Sequence, residues 1–108
     1  MRILFLGDVV GNVGCSKIIN NLSDQKKKYN IDFVIANGEN ADETGVGLTK
    51  EICENFFECG VNVITTGNHV WDQKDIMKFI EKENRLLRPK NLFEPAPGKG
   101  FGIYNTKN

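Results

Sequence analysis

Three short apolar runs, each followed by a glycine and a polar side chain, recur at intervals of about thirty residues, the length of a βαβ unit. They are Ile3-Leu4-Phe5-Leu6, Ile31-Asp32-Phe33-Val34-Ile35-Ala36 and Val61-Asn62-Val63-Ile64-Thr65. Near-continuous apolar and β-branched character suits strands buried on both faces, as in a parallel sheet. The segments between them carry helical spacing. Ile18, Ile19, Leu22 and Tyr29 share one face of a first helix, which ends in the basic run Lys26-Lys27-Lys28. Leu48, Ile52, Phe56 and Cys59 share a face of a second, with Thr49 as N-cap and Gly60 as stop. Ile76, Met77, Phe79 and Ile80 mark a third.

The pattern predicts an α/β fold, β-α-β-α-β-α over about residues 1–86, with a mainly parallel sheet in a single domain spanning 1–108. Ile3, Phe5, Val34, Ile35, Val63 and Ile64 are the expected core. After Arg88-Pro89 the character changes. Pro89, Pro95 and Pro97 with Gly98, Gly100 and Gly102 predict a loop over 87–108, with Phe101-Gly102-Ile103-Tyr104 as a fourth strand and a polar tail to Asn108.

Parallel strands joined by right-handed crossovers end on one edge of the sheet, where open α/β folds bind ligands. The first run leads into Gly7-Asp8, the second into Gly38-Glu39-Asn40 and the third into Gly67-Asn68-His69. Two carboxylates, two carboxamides and the only imidazole of the chain are therefore expected at a shared edge. Carboxylates packed together repel unless a cation lies between them. Oxygen donors with few nitrogens suit Mn²⁺, Fe²⁺ or Mg²⁺. Glu39 is placed to bridge two ions, Asp8 to hold one and Asn68 to offer a carbonyl to the other. His69, next to a ligand but not needed as one, is placed to give a proton to a leaving oxygen.

Charge narrows the partners. Lysine plus arginine and aspartate plus glutamate each number 14, so no overall field draws nucleic acid or an anionic membrane. Lys26-Lys27-Lys28 reads as a solvated helix end favoured by the helix dipole. The apolar N-terminal stretch is too short for a signal segment or a membrane span. Three cysteines, Cys15, Cys53 and Cys59, form no C-x-x-C pair and read as reduced, packed thiols of a cytoplasmic protein.

The three motifs Gly7-Asp8-Val9-Val10-Gly11, Asn37-Gly38-Glu39-Asn40-Ala41 and Gly67-Asn68-His69-Val70-Trp71-Asp72 together resemble the calcineurin-like metallophosphoesterases, and within them the bacterial YmdB-type branch. Arg88-Pro89-x-Asn91 and Pro97-Gly98-x-Gly100 are similar to that branch as well. The resemblance implies half of an α/β sandwich. It also implies hydrolysis of cyclic nucleotides or other small phosphodiesters at a centre of two divalent ions, iron or manganese in preference to magnesium. Asp8, Glu39 and Asn40 would contact one ion, Glu39 and Asn68 the other, with His69 as proton donor. Members of the branch complete both sites with later histidines, including a G-H-x-H-type motif, whereas this chain has no second histidine. The expectation is an N-terminal portion, a truncated product or a chain completed by another copy or partner.

Plainer readings stand beside these. A lone histidine is more often structural than catalytic, and His69 gains its functional reading only from its motif neighbours. Asp8 is also placed to cap a helix starting near Val10. Gly7-x₃-Gly11-x₂-Gly14 is neither a dinucleotide fingerprint nor a P-loop. Gly45-Val46-Gly47 reads as a flexible turn, Asp42 and Glu43 as solvated loop charges, and Trp71 as a packing anchor. A phosphate- or nucleotide-binding module without catalysis, or an inactive remnant, is the competing function.

Overall fold

The computed structural model describes residues 1–93 and 95–106. Four strands and three helices alternate: β1 (Ile3–Leu6), α1 (Gly11–Tyr29), β2 (Phe33–Asn37), α2 (Lys50–Cys59), β3 (Val63–Thr65), α3 (Ile76–Lys82) and β4 (Leu86–Leu87). The strands pair in chain order, β1-β2-β3-β4, and every pairing is parallel. This is the α/β architecture the apolar spacing predicts.

The helix boundaries follow local chemistry. Thr49 caps α2, its hydroxyl accepting from the Ile52 backbone N–H at 3.3 Å. Gly60 ends α2 at φ 118°, a conformation that costs a side chain dearly. The long α1 ends at Asn30, also left-handed at φ 52°, with Lys26, Lys27 and Lys28 in its last turn as expected. Its N-cap is Val10, which makes no side-chain cap bond, so Asp8 does not cap this helix.

Register decides where the core lies. Leu6, Ala36, Ile64 and Leu86 form one cross-strand row, and the last three have no solvent exposure. That row packs in the cluster that also holds Cys15, Ile18 and Leu22 of α1, Cys53 and Phe56 of α2, and Ile76 and Ile80 of α3. The alternate row, Phe5–Ile35–Val63, belongs to the opposite face. Val34, Val63 and Ile64 are buried as expected, and Ile35 is half-buried. Ile3 and Phe5 are not core: they are 57% and 60% exposed. Their strand is at the sheet edge, and the helices cover its other face. Ile19, Tyr29 and Met77 are likewise exposed at the margins of their helical stripes.

The fourth strand also differs from expectation. Phe101–Tyr104 forms no strand; Leu86–Leu87 does, pairing with Ile64 and Thr65. Two residues are too few for alternation to be legible in a sequence. The glycine- and proline-rich segment instead folds back, with an isolated bridge between Leu87 and Lys99 and the Arg88 N–H donating to the Lys99 carbonyl at 2.9 Å. Buried Arg88 secures it, its Nε donating to the Pro97 carbonyl at 3.0 Å. Tyr104 reaches Phe33, with ring centroids 6.1 Å apart. The expected polar tail at Lys107 and Asn108 lies outside the described residues.

No helix among the described residues is long and apolar enough to cross a membrane. All three cysteines are free, Cys15 and Cys53 buried and Cys59 partly so. Burial pushes each thiol pKa upward, furthest at Cys53, where the carboxylates of Glu83 and Asp75 add to the effect.

Candidate active site

Because every strand runs the same way, the turns after β1, β2 and β3 all leave the sheet at one edge. The backbone then ties these turns together. The Val9 N–H donates to the Asn37 carbonyl and the Gly11 N–H to the Asn40 carbonyl, both at 3.0 Å, and the Gly38 N–H donates to the Thr65 carbonyl at 2.9 Å.

Asp8 occupies the first turn in the left-handed region, φ 43°, which non-glycine residues seldom adopt without a reason. Its Oδ1 accepts from Asn40 Nδ2 at 2.8 Å. The other end of the same carboxamide, Asn40 Oδ1, is buried and has no protein partner. An orphaned buried carbonyl costs about 1–3 kcal/mol, and beside a carboxylate it is the kind of oxygen a hard cation satisfies. Asn37 Oδ1 is orphaned in the same way, while its Nδ2 donates to Thr65 Oγ1 at 3.3 Å.

The second turn brings Glu39 against the third. Its carboxylate lies so close to Gly67 that a Cβ at that position would fall on it. The absence of a side chain at position 67 is what lets the Glu39 carboxylate lie there. Asn68 and His69 follow directly; Asn68 is exposed and His69 half-buried. His69 Nδ1 lies 3.0 Å from Asp72 Oδ2. Asp72 closes the Gly67–Asp72 motif, and the one local signal for its contact is its spacing of three after His69, suited to a turn. The turn is closed by the Asp72 N–H donating to the His69 carbonyl at 3.1 Å. Val70 is fully buried and Trp71 packs against the core, which anchors this loop.

A carboxylate expected in solvent proves to be structural. Asp42 is only 8% exposed, and its Oδ2 accepts from the Thr44 N–H, the Thr44 hydroxyl and Gln73 Nε2 at 3.0, 2.7 and 3.2 Å. Glu43 is exposed, as read. Gly45 and Gly47, at φ 86° and 85°, shape the loop that Asp42 closes.

Among the described residues no three of the His, Cys, Asp and Glu side chains gather as a metal cluster. The donors at this edge are two carboxylates and carboxamide oxygens, of which Asn37 Oδ1 and Asn40 Oδ1 are buried and unpartnered. That set suits a hard divalent ion without enclosing it. An apolar cleft beside β1, lined by Leu4, Leu6, Tyr29 and Ile31 among others, contains none of the candidate site residues.

The sequence profile of a family described as YmdB-like protein matches residues 4–108. A 2′,3′-cyclic-nucleotide 2′-phosphodiesterase of Bacillus subtilis (strain 168) is 47% identical over 101 residues, which is 94% of this chain and 38% of that protein. Two crystal structures superpose closely. A hypothetical protein from Thermus thermophilus is 39% identical at a TM-score of 0.90, covering 99% of this chain and 41% of that one. A phosphatase from Mycoplasma pneumoniae is 40% identical at a TM-score of 0.85, covering 96% and 39%. The chain thus spans about two-fifths of the length of each relative.

Proposed function

Because the chain belongs to the YmdB-like family, we propose that it carries the metal-holding and proton-donating part of a phosphodiesterase site. Cyclic nucleotides or related small phosphodiesters are its substrates in this reading. The activity named for the Bacillus subtilis relative supports that substrate class. Asp8, Glu39, Asn40 and Asn68 would hold two divalent ions, iron or manganese in preference to magnesium. The observation that carries the reading is the Asn40 carboxamide, which donates to Asp8 while its own oxygen lies buried and unpartnered.

When bound, such ions polarise a phosphoryl group and make water a nucleophile near neutral pH. The chain's own residues do the rest. Asp8 and Asn40 hold each other across two strand ends, and Gly67 leaves the Glu39 carboxylate room at the same edge. His69 gives a proton to the leaving oxygen. In the protonated ring, Nδ1–H is taken by Asp72, so Nε2–H is the one available for transfer.

Hydrolysis of a 2′,3′-cyclic nucleotide, the class named for the relative, is the direct test. Turnover lost on chelation and restored by Mn²⁺ supports the reading; turnover that survives chelation overturns it. Nucleotide binding without turnover, on a metal-free protein, would favour a binding module instead.

A further inference from the structure

We propose that buried Asp42 and half-buried Gln73 form a polar lock that positions His69, by fixing the turn after β3 on the loop after β2. The proposal rests on His69 being the proton donor; Asp42 and Gln73 are positioning residues.

The exposed pair cannot hold itself. The side chains of His69 and Asp72 are 37% and 39% exposed, and ion pairs that open to water contribute little by themselves. Something must fix Asp72 relative to the ligand side of the site. The residue that follows it, Gln73, does so. Its Nε2 lies 3.2 Å from Asp42 Oδ2, 3.2 Å from the Val46 carbonyl and 3.4 Å from Thr44 Oγ1. A carboxamide nitrogen has two hydrogens. With the Thr44 hydroxyl donating to Asp42, both hydrogens of Gln73 go to the 42–47 loop.

That loop is in turn bound to Glu39. The Gly47 N–H donates to the Glu39 carbonyl at 2.6 Å, and the Asp42 N–H donates to the Gly47 carbonyl at 2.9 Å. Gly47 packs so tightly on the histidine turn that a Cβ there would come within 2.8 Å of Gln73 Cγ and 3.1 Å of Asp72 Cβ. A continuous path of contacts therefore runs from the Glu39 backbone through Gly47 to Asp72 and the His69 ring. Asp42 is buried and takes three donors on one oxygen, so its carboxylate ties the Thr44 turn and Gln73 together at one point.

His69 is the only imidazole in the chain, so one ring signal reports on it. The test is a ¹H–¹⁵N ring correlation on the 108-residue protein at one fixed pH, with the ring neutral. Asp72 accepts, so the wild-type ring should carry its hydrogen on Nδ1. Gln73→Ala and Asp42→Ala should lose that tautomer to a mixture in which Nε2–H dominates. Asp42→Asn keeps a carbonyl oxygen for the three donors and should retain it, which covers the case in which Asp42→Ala fails to fold. A folded Gln73→Ala protein with the wild-type tautomer would overturn the proposal, as would a wild-type ring protonated on Nε2 or an Asp42→Asn protein that loses Nδ1–H. A protein that shows the lock but hydrolyses nothing would defeat the function proposed above and leave the lock standing.

Discussion

Asn40 Nδ2 donates to Asp8 Oδ1 at 2.8 Å, joining residues 32 apart in the chain across the ends of β1 and β2. Asp8 is left-handed at φ 43°, and the Asn40 oxygen on the far side of the amide has no partner. An uncommon backbone conformation beside an incompletely satisfied amide is the pattern expected of the metal site proposed here.

Metal affinity follows from the donor set. With carboxylate and carboxamide oxygens and no histidine beyond His69, this chain should bind Mn²⁺ or Fe²⁺ weakly and short of two ions. Asp8→Ala and Glu39→Ala should abolish what binding there is. Titration calorimetry checks this, and two tight sites on the isolated chain would mean the ligands have been misidentified.

His69 is separable from the ligands. In a preparation that hydrolyses a phosphodiester, His69→Ala should retain metal while turnover falls by roughly 10²–10⁴-fold, the usual contribution of a placed general acid. The loss should shrink for a nitrophenyl ester, whose leaving group needs no proton. Equal and small losses on activated and unactivated esters would reduce His69 to a packing residue.

Two glycines should respond differently to alanine. At Gly67 the atoms nearest the new methyl belong to the far end of the Glu39 side chain. Stability should change by less than about 1 kcal/mol while metal binding weakens as it does in Glu39→Gln. At Gly47 the backbone is at φ 85° and the methyl meets Gln73 and Asp72, including the Gln73 backbone N at 3.2 Å. That variant should lose about 1–3 kcal/mol of stability. Chemical denaturation beside metal titration distinguishes the two.

The thiols set the alkaline limit. Burial raises the Cys53 pKa far above its ordinary value, so the fold disfavours the thiolate that the unfolded chain forms readily. The unfolded state then binds fewer protons than the native one, and stability falls as pH rises past about 8.5. Thermal unfolding as a function of pH should show this decline, and Cys53→Ala should flatten it. Cys59, partly exposed, should be the first of the three to react with a thiol reagent in the native protein.

Much of this protein is written locally in its sequence. Apolar runs at βα spacing, Thr49 and Gly60 at the ends of α2, and a glycine with a polar residue after each strand are properties of neighbours along the chain, and they yield the α/β order and the edge where Asp8, Glu39 and Asn68 emerge. Other features arise only on folding. Period-two alternation tells which residues share a face of a strand but not which face the helices cover, so Ile3 and Phe5 look like core and are exposed. A two-residue strand such as Leu86–Leu87 has no period to detect. Asp42 reads as a loop charge because one of the partners of its carboxylate, Gln73, lies 31 positions away. The hold of Asp72 on His69 likewise needs a particular turn. Burial and hydrogen-bond satisfaction are properties of what lies across space, and only the tertiary structure decides them.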